Sequence, residues 1–544
     1  MPGVPHTAGR RPAPRLQERR PGRARLTAML KYAKQLASES LVYGVSGVVS
    51  RLLFVFLVPV YTRVFVPREY GELGLVLTAM AAVAIFVTLA LDNSTHRWFW
   101  DSDETADRKA TVASWAWCQA AVALLFAGGI TLAAPWLARA LIGRAGAAPL
   151  LVLGAWALPL TAWQTVATNW LRLQRRPWAT VGYTLGTTAA SIGLTIALVV
   201  YLHRGVGGVL EAQLAAAGVA AVAALLLMGD WLHPRWFRPR RLREMLRYAL
   251  PLIPAAVAFW AVAMLDRWFV QRYASTAQVG LYQVGAAVAG VVAVGTTAFQ
   301  QAWGPFSLSI HRQPDARRFY GAALVLYLWV ACLAATAVSL FAPEALRVFA
   351  TPAYAGSATV VAFLSFGYVM MGMSYVASLG AGLAKRTAPM GAAAIAAAAA
   401  NVALNLVLVP RWGKEGAALA TLVSQAVVPL YLFRASQRVY PIPYRFGAAA
   451  AVVGFSGVAV AAGAFWHPPS VAVAVAGKTA LLLLFVPLLL ALRVVPLGRV
   501  MQILRARGAA PGPVPGLAPV GQEPVLPAPA PAPAPTPTPS DAGV

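Results

Sequence analysis

The stretch LVYGVSGVVSRLLFVFLVPVY, residues 41–61, is the first long apolar run of the chain, and Arg51 lies near its middle. A membrane-spanning helix needs about 20 mostly apolar residues, and about fourteen such runs follow one another here. A guanidinium at mid-bilayer depth is costly unless it faces a protein-lined, water-filled cavity. The sequence therefore predicts an all-α, polytopic membrane protein with a cationic interior and an anionic cargo.

Composition favours the same class. Hydrophobic residues make up 59% of the chain and charged residues 12%, against about 25% charged in soluble proteins. The net charge of +27 is spread over short loops between apolar runs, which is typical of topology signals rather than of nucleic-acid binding. Cys118 and Cys332 fall inside apolar runs, and no histidine has metal-ligand spacing. We therefore expect no metal, no cofactor and no nucleic-acid partner.

Hydropathy divides the chain into a basic arm predicted to be disordered (1–37), two six-helix bundles (38–232 and 248–433) joined by a cytoplasmic linker (233–247), an extra helix pair (446–492) and a disordered Pro/Ala-rich tail (508–544). Met29 is an alternative start. The predicted spans are residues 38–62, 71–92, 112–136, 147–171, 179–202, 206–232, 248–271, 277–302, 319–342, 357–383, 387–409, 415–433, 446–466 and 471–492. Lys and Arg are concentrated in alternate connections, which predicts two cytoplasmic termini.

An internal repeat supports two equivalent bundles. YTRVFV (61–66) precedes REYGELG (68–74), and LDRWFV (265–270) precedes AQVGLYQ (277–283). Each copy has a basic residue near the outer end of a span, an aromatic residue two positions later, a short loop and a glycine opening the next helix. Transporters built from parallel repeats bind substrate between the halves and alternate access by rocking them.

The segments RLL (51–53), PVYTR (59–63), PREYG (67–71) and LDNSTHRWFWD (91–101) resemble the first half of bacterial polysaccharide flippases. YALPLIP (248–254), DR (266–267), VGLY (279–282) and FQQAWGPF (299–306) resemble the start of their second half. These flippases are the O-antigen/exopolysaccharide branch of the multidrug/oligosaccharidyl-lipid/polysaccharide exporter superfamily. The resemblance covers residues 38–435 and specifies the substrate poorly.

The resemblance implies a flippase that moves polyprenyl-diphosphate-linked oligosaccharide across the cytoplasmic membrane for cell-surface polysaccharide or lipopolysaccharide synthesis. Its expected partners are this lipid-linked substrate, membrane lipids and glycan polymerase machinery. Drug-extruding relatives usually have twelve spans, whereas the extra pair here favours a lipid-linked cargo. The family has no ATP site, and no P-loop occurs in this sequence.

Arginine suits a diphosphate because it stays charged and its planar fork matches phosphate oxygens. Arg51 is the first candidate for headgroup binding, with a buried ion pair to Asp92 or Asp266 as the alternative. Arg267 is a second, although it lies near the outer end of its span and would reach water by snorkelling. Arg63 and Arg272, at the outer ends of spans one and seven, are candidates for receiving or releasing the headgroup, or plain surface residues.

Ionisable and amide side chains within spans give further candidates. Asp266 and Glu211 are candidates for binding a coupling ion or proton, and simple hydration near the outer boundary is the alternative reading for both. Lys478 either snorkels or contacts phosphate in a lipid-tail groove. Several amides would bind sugar hydroxyls or join helices by hydrogen bonds: Gln164, Asn169, Gln283, Gln300, Gln301, Asn401 and Asn405.

Two other functions compete with the flippase. A cation-coupled multidrug exporter would want acidic residues deep in the cavity, where the sequence places arginine. A membrane polysaccharide polymerase or ligase would normally have a large outer loop with catalytic residues, whereas all outer loops are short here. We therefore expect a transporter and no enzyme activity.

Overall fold

The computed structural model describes Val49 and residues 56–311, 315–384, 386, 388–466 and 470–492. The predicted basic arm, the Pro/Ala-rich tail, Arg51 and most of the first predicted span lie outside the described residues. The described residues up to Leu488 form one compact unit, and those from Leu489 belong to a second, of which only 489–492 are described.

The described chain consists of helices joined by short connections and contains no strand, which confirms the predicted all-α class. The helices of the first half are α1 Leu57–Val64, α2 Pro67–Thr88, α3 Leu91–Asp101, α4 Thr105–Leu141, α5 Ala148–Leu173, α6 Pro177–Ile196 and α7 Gly205–Met228. The second half contains α8 Pro239–Ala249, α9 Ile253–Met264, α10 Asp266–Tyr273, α11 Thr276–Ser309, α12 Ala316–Phe349, α13 Ala358–Ala377, α14 Leu379–Leu383 and α15 Ala388–Val439. The chain continues with α16 Phe446–Phe465, α17 Val471–Leu483 and α18 Phe485–Ala491.

Eleven stretches of helix among the described residues are long and apolar enough to span a membrane, or up to twelve if the bent pair Pro239–Leu252 and Ala256–Met264 is one span. Helix α15 has 52 residues and would extend about 78 Å if straight, against a hydrocarbon core of about 30 Å. It contains both predicted spans 387–409 and 415–433. The predicted total of fourteen stays a prediction, because the first span lies outside the described residues.

Gly413 breaks α15 between those two predicted spans. Its φ of 53° and ψ of −128° are not helical, and glycine adopts a positive φ without steric penalty. The Gln278 side chain occupies the space where a Cβ would lie, and its Oε1 accepts a hydrogen bond from Lys414 N at 2.9 Å. The start of α11 therefore fixes this break.

The packing of helices is equivalent in the two halves. In the first, α5 packs against α2, α4 and α7; in the second, α13 packs against α11, α12 and α15. These are the pairs expected from the order of the helices in each repeat. Helices α16 and α17 pack on α12, and Trp329 Nε1 of α12 donates to Phe485 O at the start of α18 at 2.8 Å. This arrangement supports two related bundles with a peripheral extra pair.

The two halves meet along α2 and α11 at the repeated glycines. A Cβ on Gly71 would fall inside the van der Waals radius of the Thr276 carbonyl oxygen, and one on Gly280 would meet that of Pro67 in the same way. These glycines have equivalent positions in the sequence repeat. The two helix backbones are therefore in direct contact at the predicted outer end.

The predicted linker 233–247 contains helical structure. Helix α8 buries Met245 and Ala249 in the core at the inner end of the first bundle. Arg238 N donates to Ser114 Oγ at 2.9 Å, and Arg241 forms an ion pair with Asp107. The linker is thus an amphipathic helix attached to the first bundle.

Candidate functional site

Asp266 is the first residue of α10, directly after the end of α9, and its side chain is buried. Its Oδ2 accepts hydrogen bonds from Tyr282 Oη at 2.7 Å and from the Thr421 hydroxyl. Its Oδ1 accepts one from Asn405 Nδ2 at 3.0 Å. The alternative of simple hydration is therefore wrong for Asp266, because α11 and α15 enclose the carboxylate.

Two buried asparagines on α15 extend this group of oxygens. Asn405 Nδ2 also donates to Asn401 O at 2.9 Å and to Asn401 Oδ1 at 3.1 Å, and Asn401 Nδ2 donates to Ser424 Oγ at 3.3 Å. Asn405 Oδ1 is buried without a hydrogen-bond partner among the described residues. Acceptors therefore outnumber donors here, and oxygen-rich sites of this kind suit hard cations.

No salt bridge to the Asp266 carboxylate forms among the described residues, although the adjacent Arg267 interacts with its charge at longer range. Its hydrogen-bond donors are the neutral groups of Tyr282, Thr421 and Asn405, and no ion pair involves it within the described residues. A buried carboxylate is costly when it is unpaired. A proton or a small cation would remove that cost, so the geometry suits a reversible coupling site. We name Asp266, Tyr282, Asn401, Asn405 and Thr421 the α10–α15 cluster.

Arg267 is buried with 8% exposure, so the snorkelling alternative is wrong. Its Nε donates to Gln283 Oε1 at 2.6 Å and its Nη1 to Ala263 O at 2.9 Å. The guanidinium carbon lies 5.5 Å from the centre of the Tyr282 ring. A guanidinium has five N–H donors, so donors remain for an anionic ligand beyond these two bonds.

Arg267 lies beside the boundary between the halves. A Cβ on Gly74 of α2 would come within 2.6 Å of Gln283 Nε2, and Gln283 is the side chain that accepts from Arg267. In transporters made of two related halves, substrate binds at this boundary. The position therefore suits a headgroup-binding residue, which remains a hypothesis for Arg267.

Arg63 and Arg272 are exposed, at the predicted outer end. Arg63 Nη2 donates to Val348 O at 3.5 Å, and the Arg272 guanidinium carbon lies 5.7 Å from the Tyr273 ring centre. Neither forms a hydrogen bond or ion pair with Asp266 or Arg267 in the described structure. The structure therefore does not join them to the α10–α15 cluster.

Glu211 and Lys478 lie in ion pairs. Glu211 pairs with Arg204 at 3.1 Å, and the Arg204 side chain is 59% exposed. Lys478 Nζ donates to both oxygens of Glu344 on α12, at 2.7 and 2.9 Å. Lys478 is buried, so the snorkelling alternative is wrong. Glu344 was not expected from the sequence, because its partner is 134 positions away.

Glu72 is a second buried carboxylate that sequence reasoning missed. It is 3% exposed and pairs with Arg144 and with Arg68, the latter at 3.6 Å. Its hydrogen bond raises the pKa of the Arg144 guanidinium, which lies in the loop after α4. A glutamate one turn into an apolar span was the available signal, but its partner Arg144 is 72 positions away and local sequence does not reveal it.

Hydrogen bonds between the halves all lie at the predicted outer end of the described chain. Thr62 Oγ1 donates to Phe349 O at 3.0 Å, and Thr351 Oγ1 donates to Thr62 O at 3.1 Å. Tyr354 Oη donates to Phe65 O at 2.8 Å. Further along, Gln271 Nε2 donates to Ile142 O at 2.8 Å. With the α2–α11 contact, these bonds join the halves at the predicted outer end.

Residues 60–316 match the sequence profile of the polysaccharide biosynthesis protein family. The expected resemblance to polysaccharide flippases of the exporter superfamily is confirmed. No curated protein sequence matches the chain significantly. The matched family is associated with polysaccharide biosynthesis, and the fold comparisons below concern transport proteins.

The fold is similar to that of lipid II flippase MurJ in an inward closed conformation, with a TM-score of 0.66, 12% identity, and coverage of 82% of this chain and 98% of MurJ. An inward-facing multidrug resistance MATE family transporter of the MOP superfamily gives a TM-score of 0.58 at 14% identity, covering 74% and 96%. A Vibrio cholerae MATE transporter gives 0.50 at 15%, covering 76% and 98%. At these identities the likeness shows the fold alone.

Proposed function

We propose that the protein is a flippase for polyprenyl-diphosphate-linked oligosaccharide, moving it from the inner to the outer leaflet of the cytoplasmic membrane. The observation on which this rests most is the buried Arg267 beside the boundary between the halves. The match to a polysaccharide biosynthesis family and the MurJ-like fold support the same class of cargo. Lipid-linked glycan, membrane lipids and a glycan polymerase are the proposed partners.

The proposed role of Arg267 follows from the cost of moving charge. Transfer of an unpaired anion into hydrocarbon costs tens of kcal/mol in the Born limit. A fixed guanidinium offers charge-assisted, bidentate hydrogen bonds to phosphate oxygens and lowers that barrier. Arg51 is proposed to contribute in the same way from the first span, outside the described residues.

The α10–α15 cluster is proposed to couple transport to a proton or monovalent cation. Tyr282 connects the two functions, because its hydroxyl donates to Asp266 and its ring lies under the Arg267 guanidinium. Neutralising Asp266 would weaken the hydrogen bond from Tyr282 and change the surroundings of Arg267. Ion binding and headgroup binding would therefore influence one another.

A cation-coupled multidrug exporter is the second candidate, because the structure buries an acidic residue that this alternative requires. However, Tyr282, Thr421 and Asn405 enclose Asp266 by hydrogen bonds. The space beside the carboxylate is therefore too small for an organic cation. The geometry therefore favours a small ion at Asp266 and an anionic cargo at Arg267.

Reconstitution into liposomes tests the proposal. Fluorescent polyprenyl-diphosphate-linked oligosaccharide is placed in one leaflet, and its arrival in the other is followed by quenching. We expect wild type to accelerate flipping, Arg267→Ala to abolish it, and Arg267→Lys to retain part of it because the charge survives. Arg139→Ala, at an exposed arginine with no proposed role, is the surface control and should transport as wild type. Export of a cationic dye without flipping of the glycolipid would reject the proposal.

A further inference from the structure

An apolar groove lies between α11 and α12 and opens at the surface of these helices. Its volume is about 640 Å³, within the range of about 300–1,000 Å³ typical of ligand pockets. Aromatic and aliphatic side chains form its walls, among them the half-buried Phe299, and several others are exposed on the surface of the bundle: Phe306, Phe319, Leu326 and Val330. A Cβ on Gly295 would meet no atom within 4 Å, so this glycine leaves the groove open.

A smaller cleft of about 310 Å³ lies on the other side of α11, against α13 and α14. Amide and hydroxyl groups line it: Gln300, Ser307, Tyr375 and Ser378. Gly304 also lines this cleft, and a Cβ there would meet no atom within 4 Å. The cleft therefore offers uncharged hydrogen-bonding groups next to open space.

Trp303 lines both cavities and separates them. Its ring is stacked on Phe299 with centroids 5.6 Å apart and meets the Tyr320 ring edge-on at 6.0 Å. The indole is 6% exposed, and its N–H is buried without a hydrogen-bond partner among the described residues. Buried donors are nearly always paired, so an acceptor supplied by a ligand would complete this site.

We propose that the groove and cleft together bind the lipid part of the cargo near the diphosphate, which rests on the proposed flippase function. The isoprenoid chain lies in the apolar groove, and an oxygen of the polar head accepts from the Trp303 indole. One groove beside one polar cleft fits a single-chain lipid better than a two-chain phospholipid. Trp303 follows the predicted span 277–302 at its inner end, which is the depth of the headgroups from which cargo is loaded.

This site differs from the tail groove expected near Lys478. That ammonium is already paired with both oxygens of Glu344, so its charge is compensated. The α11–α12 groove instead has apolar walls along its length and an unpaired donor at one end. The segment FQQAWGPF (299–306) thereby has a binding role.

Binding of unglycosylated polyprenyl diphosphate to the purified full chain tests the proposal, by native mass spectrometry with phosphatidylglycerol as competitor. Leu326→Trp fills the groove and should weaken binding by about tenfold or more, as expected for overpacking of a filled site. Leu124→Trp, at a similarly exposed position on α4, should bind as wild type. Trp303→Phe should weaken binding by about two- to tenfold, the worth of one hydrogen bond. Trp170→Phe removes another buried, unpaired indole N–H and should have no effect.

Unchanged binding by both Leu326→Trp and Trp303→Phe would overturn the site, while the flippase proposal would still stand on liposome transport. Equal competition by phosphatidylglycerol would show a general lipid contact and would also overturn it. Capture of this chain's own residues after Leu492 by a photo-crosslinker at position 326 would also overturn the site, because the protein itself would then occupy the groove. If wild type binds no polyprenyl diphosphate, both this site and the flippase proposal fall.

Discussion

Asp266 and Arg267 are adjacent in sequence but have different partners. The carboxylate of Asp266 turns toward α11 and α15, whereas the guanidinium of Arg267 turns to Gln283 beside α2. Successive side chains on a helix point about 100° apart. Adjacent residues of α10 can therefore point to two different groups of partners. At the scale of single residues, this geometry separates the proposed small-ion site at Asp266 from the proposed anion-binding site at Arg267.

Asp266→Asn should uncouple transport from its driving ion. The amide has nearly the same shape but cannot exchange a proton or balance a cation at this position. We expect the ion- or pH-driven part of flipping to fall at least about tenfold, which corresponds to ~1.4 kcal/mol. Liposomes with an imposed proton or sodium gradient measure it. Glu211→Gln should respond to the gradient like wild type, and an Asp266→Asn variant with full gradient response would refute the coupling role.

The sequence could identify Asp266 and Arg267 as candidates because charged residues within a span are rare. It could not show their burial, because Tyr282, Asn405 and Thr421 come from α11 and α15, up to 155 positions away. Because Asp266 lies near the predicted end of its span, the sequence suggested that water hydrates it. Packing against α11 and α15 instead buries it. Glu344 and Glu72 were missed for the same reason, since each is recognised by its distant partner.

At the scale of elements, helices α2 and α11 form the direct contact between the two halves. The sequence repeat predicted equivalent glycines, and the structure brings Gly71 and Gly280 into the same contact. The sequence can predict that these two glycines are equivalent, because the same pattern of apolar residues surrounds each of them in its half. The break at Gly413 and the helical form of the linker depend on Gln278 and the first bundle, so they needed the structure.

Gly71→Ala should open or destabilise the outer contact, because its Cβ would overlap the Thr276 carbonyl. Overpacking of this kind costs about 1–3 kcal/mol. A lower unfolding temperature and faster labelling of a cysteine at the outer end are the expected results. Gly128→Ala, where a Cβ meets no atom within 4 Å, is the control. Equal labelling and stability in both variants would contradict direct helix contact.

Glu344→Gln should destabilise the attachment of α17 to α12. It leaves the buried Lys478 ammonium without its anion, and breaking a buried pair costs about 3–5 kcal/mol. The expected result is a lower thermal unfolding temperature of the purified protein. The double change Lys478→Met with Glu344→Leu should recover most of the loss, since no buried charge remains. If the single variant is as stable as wild type, this ion pair does not anchor the extra helices.

At the scale of the whole molecule, the described hydrogen bonds between the halves lie at the predicted outer end, and the cargo is proposed to load from the inner side. Alternating access requires that these bonds break during the cycle. These hydrogen bonds are few, and their acceptors are mostly backbone carbonyls. The halves can therefore separate there without breaking a buried ion pair.

A disulfide between Thr62→Cys and Thr351→Cys should hold the outer end closed, because these residues are hydrogen-bonded across the halves. We expect oxidation to stop flipping in liposomes and reduction to restore it. Either single cysteine variant should transport under both conditions. Full transport by the oxidised, crosslinked protein would show that the outer end does not need to open.

Tyr282 contacts Asp266 through its hydroxyl and Arg267 through its ring, and this shared contact has a thermodynamic consequence. If a bound cation increases the affinity of the protein for the anionic headgroup by some factor, the headgroup must increase the affinity for the cation by the same factor. Equilibrium titrations carried out in either order should then yield one interaction energy. In Tyr282→Phe, which retains the ring and removes the hydroxyl, that energy should shrink while each ligand still binds alone.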